Sequence, residues 1–210
     1  MNVFDNIYIN NMFENCGDFV EFCGFPGSGR SRTALRISTK ISADYPVLHI
    51  TCKQMVDMVG LLSMLSCHHS ESISGTQLPK NFMLFNCTDI SEVLAIVYSF
   101  INSDIKPYLV VIDDLSFIFD AVKKSGKEEN LFELFNFLKI LGSKILIISD
   151  LKSKFAENFY FSEILPNFLL KIFDSKFLFS AKIENSEKIF EIRKFFPEVL
   201  SFRGKIEEFQ

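Results

Sequence analysis

An α/β fold, with a mostly parallel central sheet flanked by helices and an antiparallel C-terminal β extension, is predicted by three observations. Short apolar runs bounded by turn residues alternate with segments of helical period along most of the chain. A glycine-rich loop, Gly24-Phe-Pro-Gly-Ser-Gly-Arg-Ser31, separates the first apolar run from a helix-capable one. Beyond Phe177 the apolar period falls to two, as in strands with one buried face. The 210 residues are 48% hydrophobic, enough for a sizeable core, and no composition shift marks a boundary. One domain over 1–210 is therefore expected, with a short lead-in at 1–18.

Taken in order, residues 19–23 are apolar apart from Glu21 and read as a buried strand, followed by the loop and a helix to about Ile41. Residues 47–51 (Val-Leu-His-Ile-Thr) form a second strand. Met and Leu recur at helix-face spacing over 55–67, and Ser, Gly and Pro make 70–80 a loop. Residues 82–85 suit a short strand. Residues 89–102 suit a helix whose apolar stripe includes Val93, Leu94, Ile96 and Val97, with Asp89 or Ser91 as its cap. Residues 108–112 are apolar without a break, as in the middle of a parallel sheet. A helix over 128–141 and a strand over 144–148 follow. In the tail, Lys188-Ile-Phe-Glu-Ile-Arg-Lys194 alternates, Glu184-Asn-Ser-Glu187 reads as a hairpin turn, and 199–206 as a further strand. Lys188, Glu191, Arg193 and Lys194 are expected on one solvated face.

Composition narrows the functional classes. A net charge of −4 gives no general basic field of the kind that drives nonspecific nucleic-acid binding. The five cysteines, Cys16, Cys23, Cys52, Cys67 and Cys87, are odd in number and lack Cys-x-x-Cys spacing, which predicts reduced thiols. Polar residues interrupt the start, so no signal peptide is expected, and no apolar run reaches the ~18–20 residues that span a bilayer. Cys67-His68-His69 is too local to make a metal site without a complementary ligand pair.

The glycine-rich loop carries the chemistry. It follows the pattern G-x-x-x-x-G-K-[ST], except that Arg30 replaces the lysine. Glycines at 24, 27 and 29 let the backbone curl so that successive N–H groups face phosphate oxygens, and the helix that follows adds its positive end. Gly24, Phe25, Pro26, Gly27, Ser28, Gly29, Arg30 and Ser31 are thus the predicted nucleotide-binding residues. Arg30 is placed to reach the terminal phosphates and Ser31 to ligate Mg²⁺. Leu109-Val-Val-Ile-Asp113 is an apolar strand ending in a carboxylate, the position from which such proteins hold magnesium. ATP and Mg²⁺ are the expected cofactors, with Ser31 and Asp113 as the metal residues.

These pieces together resemble the RecA-type recombinases of eukaryotes and archaea, most of all their divergent paralogues. Phe19-Val-Glu-Phe-Cys-Gly-Phe-Pro-Gly-Ser-Gly29 is similar to the family's "ITEICGPPGSG". Tyr108-Leu-Val-Val-Ile-Asp-Asp-Leu-Ser-Phe-Ile-Phe119 is similar to "LVVIDSIAFLF". Lys144-Ile-Leu-Ile-Ile-Ser-Asp150 stands where the family has a strand ending in Thr-Asn-Gln. Phe196-Pro-Glu-Val-Leu-Ser-Phe-Arg-Gly-Lys-Ile-Glu-Glu208 resembles the closing "SPRLPEAVVSFRITEEG". The resemblance runs in order from about residue 12 to the end. It implies a RecA-like P-loop core that binds ATP and takes part in homologous recombination and double-strand break repair in the nucleus. It also implies a hetero-oligomer with related subunits that assists the main recombinase on single-stranded DNA.

The departures bear on turnover. The family's catalytic glutamate follows the second strand in "IDTEG", where this chain reads Ile50-Thr51-Cys52-Lys53, and a lysine does not deprotonate water as a carboxylate does. The sensor glutamine is replaced by Asp150, an anion where a neutral donor is expected. Arg30 keeps the charge but not the compact ammonium. Weak or absent hydrolysis is the expectation, with at most a DNA-stimulated ATPase. Asp114 is the adjacent acid on which an active site would have to draw. No Phe-x-x-Ala filament clasp occurs, and no N-terminal helical domain is expected before the loop. The family's DNA-contacting loops map to 120–130, with Lys123, Lys124 and Lys127, and to 151–166, with Lys152 and Lys154 near aromatic residues. Two alternatives stand beside this reading: an active DNA-dependent ATPase, and a RecA-fold scaffold subunit that binds no nucleotide.

Overall fold

Phe19–Gly24 forms the first strand, β1, buried along its whole length, as a run apolar on both faces must be inside a parallel sheet. It belongs to a computed structural model that describes residues 16–52, 80–126, 128–154, 160–163, 172–184, 187–196 and 200–205. After β1 come α1 (Arg30–Ile41), β2 (Val47–Thr51), β3 (Phe82–Asn86), α2 (Ile90–Ile101), β4 (Leu109–Asp113), α3 (Leu115–Ser125) and α4 (Glu129–Leu141). The chain continues through β5 (Lys144–Lys154), β6 (Tyr160–Glu163), β7 (Ser175–Glu184), β8 (Glu187–Phe196) and β9 (Leu200–Lys205). The class is α/β, with mostly parallel strands flanked by helices. The chain divides into two compact units, Met1–Thr33 with Lys144–Gln210, and Ala34–Ser143.

In the first unit β1 lies between β5 and β7, parallel to both. β8 and β9 add to β7 as antiparallel strands, the predicted extension. Phe22 anchors this core, its ring centroid 5.7 Å from Phe177 and 4.8 Å from Phe179. Glu184 pairs with Glu187, so the chain reverses where the hairpin turn was expected. Beyond the predicted strand at 144–148, β5 runs on to Lys154 and pairs with β6 in antiparallel fashion. Residues 151–154 and 160–163, expected within a loop, are therefore strand. One face assignment in the tail is corrected. Arg193 and Glu191 form an exposed ion pair at 3.0 Å, but Lys194 points to the opposite face, where it is buried with its ammonium 5.9 Å from the Phe177 ring centroid. Successive strand residues alternate faces, and Lys194 falls in step with buried Ile192.

The start of β1 is fixed by Asp174. Its Oδ2 accepts from the N–H groups of Asp18 (2.8 Å) and Phe19 (2.9 Å), while its own N–H donates to the Phe19 carbonyl at 2.8 Å. Gly17, at φ +76°, leaves room for this contact, since a Cβ there would lie 2.4 Å from Asp174 Cβ. Asp174→Ala removes the shared acceptor and is expected to lower stability by about 1–2 kcal/mol. A urea titration checks this, and an unchanged midpoint would mean that strand pairing alone fixes β1.

In the second unit β2 lies between β3 and β4, all parallel, with Val47 to Thr51 in register with Leu109 to Asp113. Asp89 caps α2 as predicted, its Oδ1 accepting from the N–H groups of Ser91 (2.7 Å) and Glu92 (3.0 Å). α4 buries Leu131, Leu134, Phe135, Leu138 and Leu141 and ends at Gly142, whose φ of +69° makes the left-handed cap. Residues 115–125, in part assigned to a loop by resemblance, are helical. Leu115, Ile118, Phe119 and Val122 are all buried, and their i, i+3, i+4, i+7 spacing requires a helix. Among the described residues no helix is long and apolar enough to cross a membrane.

Candidate functional site

β1 ends at Gly24, where the chain is packed too tightly for a side chain. A Cβ at Gly24 would lie 2.3 Å from the Phe179 carbonyl oxygen and 2.9 Å from Ser28 Oγ. The loop then turns back, with the Ser28 N–H donating to the Phe25 carbonyl at 3.1 Å. Gly27 and Gly29 take the left-handed region at φ +79° and +89°, which an L side chain enters only with strain. Gly27 is exposed, and a Cβ added there would meet nothing within 4 Å. α1 starts at Arg30, its first turn tied back by Thr33, whose N–H (2.9 Å) and Oγ1 (3.0 Å) both donate to the Gly29 carbonyl. Strand, curled glycine loop and helix N-terminus thus follow one another as phosphate binding requires.

Inside the curl, Ser28 Oγ is buried and has no hydrogen-bond partner among the described residues. A buried hydroxyl without a partner costs about 1–3 kcal/mol, which a phosphate oxygen accepting its proton would relieve. Together with the open face at Gly27, this fits the loop to a nucleotide's phosphates. Ser31, at the first turn of α1, is half-buried.

Arg30 behaves differently from the expectation that it reaches outward. It is 4% exposed, and its two terminal nitrogens donate to the Ser149 carbonyl and to Asp150 Oδ1. Asp150 lies at the carboxyl end of the parallel part of β5, in register with Gly24. Arg30 and Asp150, far apart in sequence, are one ion pair in the structure. Behind it lies a second layer. The Ser149 hydroxyl donates to Glu21 Oε1 at 2.5 Å, and the Lys176 ammonium approaches Glu21 Oε2 at 3.2 Å. Glu21 is fully buried on β1 and Lys176 nearly so on β7. Sequence reading left these three residues out, although a lone glutamate in an otherwise apolar strand was the available signal.

The remaining predicted residues lie elsewhere. Asp113 closes β4 in the second unit and is buried; its carbonyl accepts from the Cys52 N–H at 2.9 Å. Asp114 is buried in the turn to α3 at φ +67°, the one non-glycine residue with positive φ among those described. Such strained positions cluster at functional sites, which keeps Asp114 as the candidate acid. Cys52 and Cys87 are free thiols in this unit. Burial, then the neighbouring Cys87, Asp113 and Asp114, pushes the Cys52 thiol far up. Burial, then Glu92 and Asp89, pushes that of Cys87 up to about 11. Neither is a thiolate nucleophile at neutral pH. Among the described residues no cluster of three or more His, Cys, Asp or Glu is placed to hold a metal ion by itself.

Lys123 and Lys124 are exposed in the last turn of α3, where positive charge complements the helix end. Lys152 and Lys154 fall on the part of β5 that pairs with β6. Lys53, Lys127 and Cys67-His68-His69 lie outside the described residues. No known protein family and no curated protein matches this sequence.

Proposed function

We propose that the protein is a RecA-type recombinase paralogue that binds ATP and Mg²⁺ at Gly24–Ser31 and hydrolyses it slowly or not at all. The observation that carries the reading is the loop itself: left-handed Gly27 and Gly29 between a buried strand and a helix N-terminus, with the orphaned Ser28 hydroxyl inside. Backbone N–H groups of the loop and the α1 N-terminus would hold the phosphates. Ser31 would ligate magnesium, which neutralises phosphate charge. The ordered resemblance to recombinase segments supports a subunit of a hetero-oligomer that assists the main recombinase on single-stranded DNA in nuclear double-strand break repair. Asp150 and Lys53, at positions where that family has its sensor and its base, support weak turnover.

A fluorescent-ATP titration of the purified protein, with and without Mg²⁺, tests the reading. Binding is expected to depend on magnesium, and Gly29→Ala, which strains the left-handed turn, to weaken it at least tenfold without loss of the folded state. Unaltered affinity in that variant would remove the loop from the site.

A second reading, a RecA-fold scaffold that binds no nucleotide, is favoured by one observation: Arg30, the loop's cation, is already neutralised within the fold. It predicts no binding at millimolar ATP in the wild type or in any variant of the loop's ion pair.

A further inference from the structure

We infer that Asp150 is an affinity-determining residue of the loop, competing with nucleotide phosphates for Arg30. The inference rests on the nucleotide-binding reading above and goes beyond it.

Arg30 is the one cationic side chain between Gly24 and Ser31. Its guanidinium spans two acceptors of β5 at once, the Ser149 carbonyl and the Asp150 carboxylate. A planar fork suits this pair of acceptors, whereas a lysine ammonium is a single point of charge. Arginine at 30 and aspartate at 150 are therefore matched to each other. The acceptors sit on a strand that is itself held in place. Ser149 is tied to Glu21, Glu21 faces Lys176, and Asp150 stands in register with Gly24, at the mouth of the loop.

An incoming phosphate thus meets two obstacles of the same origin. To gain Arg30 it must draw the guanidinium from a carboxylate whose side chain is only 25% exposed, at the cost of that ion pair. Without Arg30, the phosphate is held with no cationic side chain of the loop, next to the negative charge of Asp150. Each raises the nucleotide concentration needed to fill the site. Neutralising Asp150 removes both and frees Arg30 to turn toward the phosphates.

The test is a fluorescent-ATP titration with Mg²⁺ on the full chain as wild type, Asp150→Asn, Arg30→Ala and the double variant, with the fold of each checked by circular dichroism. Asp150→Asn is expected to tighten binding about tenfold or more, and most of that gain should vanish in the Arg30→Ala background. Asp150→Glu, which keeps the charge, should retain the wild-type affinity, and Asp150→Ser replaces Asn should the latter not fold. Wild-type binding that Asp150→Asn leaves unchanged or weakens would overturn this inference and leave the nucleotide reading standing. An equal gain with and without Arg30 would overturn the competition for Arg30. Absence of binding in every protein would overturn the inference and the nucleotide reading together.

Discussion

Lys176→Met is expected to destabilise the first unit by about 3–5 kcal/mol, because it breaks the buried ion pair with the Glu21 carboxylate by removing one partner. The Ser149 hydroxyl would remain as a donor to Oε1, and one neutral hydrogen bond does not offset a buried charge. Lys176 also packs its ammonium 5.3 Å from the Phe173 ring centroid, a contact methionine keeps only as apolar packing. The double variant Glu21→Gln with Lys176→Met should recover most of the loss, since removing both charges of a buried pair is often close to neutral. Equilibrium urea unfolding of the wild type, both single variants and the double gives the coupling directly. Additive losses would show that the two charges do not sense each other. The same series bears on the loop: Glu21 holds Ser149, whose carbonyl receives Arg30, so on the proposed nucleotide reading Lys176→Met should also alter ATP affinity.

Much of the fold was legible because the strands are short, apolar and sharply bounded. Val47–Thr51 forms over the residues predicted for it, β1 extends one residue beyond its expected end, and β4 is shifted by one residue at both ends. Parallel strands buried on both faces leave an uninterrupted apolar run, which periodicity detects without tertiary knowledge. The cap at Asp89 was equally local, a side chain reaching N–H groups two and three residues on. Where the expectation leaned on resemblance, it lost accuracy. Residues 115–125 were in part assigned to a loop although Leu115, Ile118, Phe119 and Val122 have helical spacing. A second miss owes nothing to resemblance: the charge pattern puts Lys194 on the solvated face, although its parity with Ile192 places it inside. Both signals were in the sequence.

The site divides along the same line. The glycine pattern identified a loop whose φ angles then fell in the left-handed region at Gly27 and Gly29. The partner of Arg30 could not be read this way, because Asp150 lies 120 residues away and meets it only through the β1–β5 register. Position by position, Arg30 and Asp150 looked like two independent losses of catalytic function. In the structure they are a single ion pair.

His49 gives the second large effect, and its sign follows from burial. It sits inside β2, with Nδ1 3.0 Å from Ser38 Oγ and its ring centroid 5.9 Å from that of Phe82. Burial lowers its pKa from 6.5 to about 4. The unfolded chain takes up a proton near pH 6.5 and the folded one only near 4, so its contribution is complete above pH 6.5 and is lost as pH falls through that window. A gap of this size corresponds to about 3 kcal/mol once both states are protonated. His49→Gln keeps a polar group for Ser38 and does not titrate. Between pH 7 and pH 4.5 the wild type should therefore lose about 2–3 kcal/mol more stability than this variant, the carboxylates common to both cancelling in the difference. Urea midpoints at four or five pH values would show it. Parallel pH profiles would mean that His49 binds its proton in the folded state as readily as in the unfolded one, against what the burial of its ring requires.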